Sequence, residues 1–241
     1  MDSAFNRTLG IKRENVISDE ELAVFNEHGL YFSHSLLVDE EGVEYANGQY
    51  LYQPTRFSET FFVVFDKLAQ LNNYCFHQMV SSRSRLSTLK SERDRAANKR
   101  WCSAEELIYY DEEIPDWEDN VNVISKATAI ILLCSFVEWA LKTISGELTS
   151  APPRKNSQNL SDIDYLLQHI KQNAGLLLSG QIEEISLIHT FRKIRNAFAH
   201  GNWQELEQQL AALRLRDCFE SVSNLLMQIE MAAWESKWAG A

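Results

Sequence analysis

Hydrophobic positions along the chain keep a short period over residues 30–53 and a helical period from Phe57 onward. Leu30-Tyr31-Phe32-Ser33-His34-Ser35-Leu36-Leu37-Val38 reads as a strand, and Glu41-Gly42 as a turn. Val43-Glu44-Tyr45-Ala46 and Gln49-Tyr50-Leu51-Tyr52 flank Asn47-Gly48. Asn-Gly between such runs predicts a two-residue hairpin turn, because both central residues need positive φ. A small antiparallel sheet of two or three strands is expected, marginal alone and therefore packed on something. Ahead of it, Ser18 with Glu21 predicts a capping box and a short helix stopped by Gly29.

From Phe57 the apolar residues Phe61, Phe65, Leu68, Cys75 and Met79 share one helical side, with Phe62, Ala69 and Phe76 beside them. Residues 81–100 turn polar and basic, which predicts a solvated helix or a mobile arm. Residues 105–119, acidic and holding Pro115, predict a linker or surface loop able to fold back on that arm. Asn120 or Asn122 is expected to open a helix in which Ile124, Ala127, Ile131, Cys134, Val137, Leu141 and Ile144 recur at three and four. It is apolar on more than one face, so it belongs at the centre of a bundle. Ala151-Pro152-Pro153 reads as a linker, and Ser161 with Asp164 as another helix start, with Leu160 and Tyr165 placed as a staple. Ile182, Ile185, Ile188, Phe191, Ile194 and Phe198 form the stripe of the next helix, which Gly201 ends. Asn202 with Glu205 predicts a last capped helix running unbroken from Trp203 towards Trp238. The link at His200 to Asn202 is short enough to make the two helices antiparallel neighbours.

The expected fold is therefore mainly α: an antiparallel helical bundle with a small N-terminal β-hairpin or meander. Three segments follow: 1–56 with the hairpin, 57–119 with the long helix, basic arm and acidic loop, and 120–241 as the bundle core. The first should cover the bundle surface and set access or partner choice.

Charge sharpens this picture. The chain has 241 residues and net charge −11, which argues against bulk affinity for nucleic acid. The acidity is uneven: residues 1–59 carry net −7, 60–103 carry +5, 104–120 carry −8 and 121–241 carry −1. A local basic patch remains able to engage nucleic acid. Four scattered cysteines without a Cys-x-x-Cys predict a reduced, cytoplasmic protein. The longest apolar stretch, Ala129 to Cys134, falls short of a span, and Met1-Asp2-Ser3-Ala4 lacks a signal-peptide layout, so no membrane association is expected.

Candidate chemistry concentrates in Phe191-Arg192-Lys193-Ile194-Arg195-Asn196-Ala197-Phe198-Ala199-His200-Gly201. With 13 Arg and 6 His in the chain, about 0.3 Arg-x-x-x-x-His pairs arise by chance, so spacing alone is weak. Arg195 and His200 lie about 140° apart around a helix, whereas Asn196 and His200 share a face. Arg195 sits on the side of Phe191, so its guanidinium requires a carboxylate or phosphate partner. His supplies a proton donor or acceptor near neutral pH, and Arg a bidentate phosphate ligand. Arg192 and Lys193 are candidate phosphate contacts.

Arg195-Asn196-Ala197-Phe198-Ala199-His200 resembles the Arg-x(4–6)-His signature of HEPN domains, which commonly places a polar residue such as Asn after the Arg. Ser135-Phe136-Val137-Glu138-Trp139-Ala140-Leu141 looks like the HEPN helix that carries an inward acid, and the likeness covers roughly 120–238. The resemblance implies a dimeric, metal-independent endoribonuclease, with two signatures meeting across the interface and a 2′,3′-cyclic phosphate product. Arg195, His200 and Asn196 would be catalytic and Glu138 their polar partner. It implies RNA as substrate, with Arg192 and Lys193 as RNA-phosphate contacts, a toxin or phage-defence role and an antitoxin protein as a possible partner. The Tyr often found two residues after the His is Asn202 here, which puts regulation by nucleotide addition in doubt. No His/Cys spacing resembles a zinc site, so neither metal nor cofactor is expected.

Two readings stand beside this one. A HEPN-like module without catalysis would bind RNA, a nucleotide or a protein through the same cleft. A structural helical dimer would use Arg195 only as an ion-pair partner of Glu138, with His200 as a C-cap. His77, His169 and His189 read as surface or satisfied core groups, and Tyr31, Tyr45, Tyr50 and Tyr52 as cross-strand packing.

Overall fold

The computed structural model describes residues 14–32, 36–38, 40–47, 49–56, 58–99, 101, 103–149, 161–174 and 182–238. Among these the chain is mainly helical, with one small sheet. The strands are β1 (Glu14–Val16), β2 (Leu36–Val38) and β3 (Glu44–Asn47). The helices are α1 (Asp19–His28), α2 (Glu59–Ala97), α3 (Ala104–Asp119), α4 (Ser125–Leu148), α5 (Asp162–Ala174), α6 (Ile182–Ala199), α7 (Trp203–Ala211) and α8 (Leu215–Ala233).

The expected turn at Glu41-Gly42 forms, but the expected strand over 49–52 does not. β2 pairs antiparallel with β3 around the Glu41-Gly42 turn, where Gly42 takes φ 82°. β1 adds a parallel edge to β2. Residues 49–52 form no strand, and Gly48 lies outside the described residues. The physical reason is competition from the helices. The Tyr52 N–H donates to Ser223 Oγ at 2.8 Å, and the Tyr50 hydroxyl donates to Asn72 Oδ1. Asn72, fully buried in α2, also donates to the Tyr31 carbonyl at 2.9 Å. The segment is thus stitched across the bundle, and Leu51 enters its core. α1 forms as expected: Ser18 and Glu21 exchange hydrogen bonds at 3.0 and 3.2 Å, and Gly29 ends it at φ 69°.

The basic stretch is the second half of α2, a helix of 39 residues. The acidic stretch is α3, a helix and not the expected loop. Ser103 caps it by accepting from the Glu106 N–H at 3.1 Å. Pro115 forfeits one backbone donor but not the helix. The acids are accommodated because α3 lies along α2: Lys90 meets Glu118 at 2.7 Å, Arg93 meets Asp111 at 2.7 Å, and Lys99 meets Glu106 at 2.6 Å.

Neither Asn120 nor Asn122 opens a helix. α3 passes through a π-helical turn, Asn120–Ile124, directly into α4. The continuous run Ala104–Leu148 contains an 18-residue window of mean hydropathy 1.6, long and apolar enough for a membrane span by composition. In the fold α4 packs against α2, α5, α6, α7 and α8, and Ile130, Leu133, Cys134, Val137, Ala140, Leu141 and Ile144 are fully buried there. Its apolar character is that of a central bundle helix. The last expected helix is also two: α7 stops at Ala211 and α8 starts at Leu215. Lys126 holds this corner, its buried Nζ donating to the Leu210 carbonyl at the end of α7. A cation on the free carbonyls of a helix end opposes the helix dipole.

Candidate functional site

α6 owes its position to a stripe at three-residue spacing. Ile188, Phe191 and Ile194 are buried against α4 and α8, and Ala197 closes the row. Burying each large side chain contributes roughly 1.5–3 kcal/mol, which fixes how the rest of α6 is presented.

The end of α6 is equally specified. Gly201 adopts φ 68°. The Gly201 N–H donates to the Phe198 carbonyl at 3.1 Å and the Asn202 N–H to the Ala197 carbonyl at 2.9 Å. This is a Schellman motif, with glycine at the left-handed position and His200 at the C-cap. Asn202 does precede α7, but its side chain makes no capping bond, so the predicted box with Glu205 does not form. Its φ and ψ of −83° and 66° lie outside the extended conformation that capping uses. Phe198 and Trp203 brace the corner, their rings edge-on at 5.6 Å.

Arg195 leaves α6 beside this stripe and meets Glu138 on α4, with Nη1 donating to Oε1 at 2.9 Å. The side chains are 35% and 21% exposed, so the pair is half-buried. Cys134, one turn before Glu138, lies under the pair. Burial pushes its thiol up, and Arg195 and Arg192 partly oppose this. Asn196 and His200 are exposed on the outer face, and among the described residues neither side chain has a hydrogen-bond or ion-pair partner. The structure therefore brings Arg195 and Glu138 together. It leaves Asn196 and His200 on a neighbouring face of the same helix end.

Arg192 and Lys193 lie one turn earlier. Lys193 is exposed, while Arg192 Nη1 lies 4.0 Å from Asp164 Oδ2 at the start of α5. Asp164 also holds His189, with Nε2 to Oδ1 at 3.2 Å. Its own geometry is set by Ser161, whose hydroxyl accepts from the Asp164 N–H at 3.0 Å and donates to Oδ2 at 2.5 Å. Sequence reasoning found the cap but not that the same carboxylate faces both Arg192 and His189 of α6. His169, by contrast, is a satisfied core group between Thr149 Oγ1 at 3.3 Å and Asn173 Nδ2 at 3.1 Å.

Chemically, the α6 end offers a positioned guanidinium, an imidazole at a helix C-terminus and a carboxamide, all accessible to a phosphodiester. Among the described residues no group of three or more His, Cys, Asp or Glu side chains is placed to hold a metal ion. Comparison with protein-family models, with curated proteins and with solved structures finds no match for this chain.

Proposed function

We propose that this chain is a cytoplasmic HEPN-type endoribonuclease that acts as a homodimer, with one site completed where two copies of residues 191–201 meet. The observation that carries this reading is the α6 end: Arg195 oriented by Glu138 at 2.9 Å, with Asn196 and His200 exposed beside it. The 2′-oxygen attacks the adjacent phosphorus, the bond from phosphorus to the 5′-oxygen breaks, and the products are a 2′,3′-cyclic phosphate and a 5′-hydroxyl. In a two-copy site, one His200 takes the 2′ proton while the other delivers a proton to the 5′ oxygen. Arg195 holds the phosphate and its developing charge, and Asn196 donates to a phosphate oxygen or orients the imidazole. Free, buried Cys75, Cys134 and Cys218 suit a reducing compartment. A toxin or phage-defence role, held in check by an antitoxin protein, follows the same reading.

The test is cleavage of purified RNA in the presence of EDTA by wild type, Arg195→Ala and His200→Ala. Cleavage by wild type alone supports the reading. Binding without cleavage by wild type favours a non-catalytic RNA-binding module.

The closeness of Arg195 to Glu138 favours a second reading, a structural clamp between α6 and α4. A folded wild type without any effect on RNA, together with unfolding of Arg195→Ala, favours the clamp.

A further inference from the structure

The face of α6 beyond Arg195 carries more than the Arg/His signature needs. From Ser186 to His200 the helix holds His189, Arg192, Lys193, Arg195 and His200 and not one Asp or Glu, in a chain of net charge −11. Spacings of four, three and four put His189, Lys193, Asn196 and His200 within about 60° of one another around the helix, in a row about 16 Å long. Arg192 flanks that row. Lys193, Asn196 and His200 are exposed, and His189 is 40% exposed at its side chain. The acids that approach it come from other helices and are already engaged: Glu138 with Arg195, and Asp164 with His189 and Arg192. Trp203, 47% exposed, stands edge-on to Phe198, on the side of α6 away from the row.

We propose that this row is a binding track for a single RNA strand, whose phosphates follow His189, Arg192, Lys193 and Asn196 to the scissile position at His200, and that Asp164 competes with the phosphates for Arg192 and His189. This rests on the ribonuclease reading for what happens at His200, but the track itself is a matter of binding. A narrow row of donors on one helix matches one backbone, whereas duplex RNA is met across two minor grooves. Asp164 supplies the carboxylate that keeps Arg192 and His189 in place while no strand is bound, and each of its contacts must be exchanged for a phosphate oxygen.

The experiment measures binding of the full chain to a short, fluorescein-labelled 2′-O-methyl RNA, which lacks the attacking hydroxyl and so reports binding apart from cleavage. Lys193→Ala and Arg192→Ala should each weaken binding about five-fold and lower the slope of log K against log salt by about 0.7. Asp164→Asn, which keeps the Ser161 cap, should tighten binding about three-fold. Lys67→Ala, an exposed cation on α2, should leave binding as it is, and unchanged thermal midpoints confirm folding. Equal behaviour of the α6 variants and Lys67→Ala overturns the track while leaving cleavage by wild type to stand. Equally strong competition by duplex RNA overturns the single-strand assignment. Binding that follows the α6 variants while wild type cleaves nothing upholds the track and rejects the ribonuclease reading. Absence of both binding and cleavage rejects both.

Discussion

Removing Glu138 from beneath Arg195 separates the energetic role of this pair from its chemical one. A fully exposed ion pair contributes about 0.2–1 kcal/mol, and breaking a fully buried one costs about 3–5 kcal/mol. At 21% and 35% side-chain exposure and a donor distance of 2.9 Å, the pair lies between these limits, at about 1.5 kcal/mol. Glu138→Ala should therefore lower the Tm by about 3–6 °C, since a domain of this size moves about 2–4 °C per kcal/mol. The assay is urea unfolding of wild type, Glu138→Ala, Arg195→Ala and the double variant. All four are compared at one protein concentration, because association raises apparent stability. The double variant should be about 1–2 kcal/mol more stable than the two single losses added together. Because the pair is half-buried, high salt should reduce this coupling only in part. A coupling below about 0.3 kcal/mol would refute the claim that Glu138 fixes the guanidinium.

Other consequences follow from groups away from the site. His28 is buried, and burial together with the nearby Lys126 charge lowers its pKa to about 4 despite exposed Glu27 at 3.2 Å. Its folded value lies below the unfolded 6.5, so the stability it allows is present above pH 6.5 and is lost as pH falls towards 4. The loss is about 3 kcal/mol, and His28→Gln should remove that part of the pH dependence in denaturant titrations. Glu230 is buried, and burial raises its pKa, opposed by a hydrogen bond with Tyr52 and by the Arg56 charge. The fold thus favours its protonated form, and the contribution present at low pH is lost as pH rises through the folded value. Glu230→Gln should accordingly be about 1 kcal/mol more stable than wild type at neutral pH, and a lower Tm would contradict this. High salt should speed amide hydrogen exchange in α3 more than in α4, because α3 has no fully buried side chain and leans on its ion pairs to α2.

Legibility in the sequence depended on whether a signal was local. The Ser18 box, the Ser161 start and the stops at Gly29 and Gly201 are each determined within a few residues, and the structure has them there. The Asn47-Gly48 hairpin signal is also local, yet residues 49–52 are claimed by Ser223 and Asn72, far off in the chain. β1 gave no signal because three residues pair with a strand twenty positions on. That the acidic stretch folds back on the basic arm was legible from their opposite charges; that it does so as a helix was not, because eight acids and Pro115 disfavour a helix locally until the lysines and arginine of α2 face them. Arg195's need for a partner was legible from its place beside Phe191, and Glu138 supplies it. Asp164 as partner of His189 and Arg192 was not, since only the packing of α5 near α6 creates it.

The central claim is tested most directly by mass spectrometry of RNA incubated with wild type and with His200→Ala in EDTA. The account predicts fragments ending in 2′,3′-cyclic phosphate and 5′-hydroxyl from wild type and intact RNA from the variant. Intact RNA from folded, dimeric wild type, or fragments ending in 3′-hydroxyl and 5′-phosphate, would contradict it.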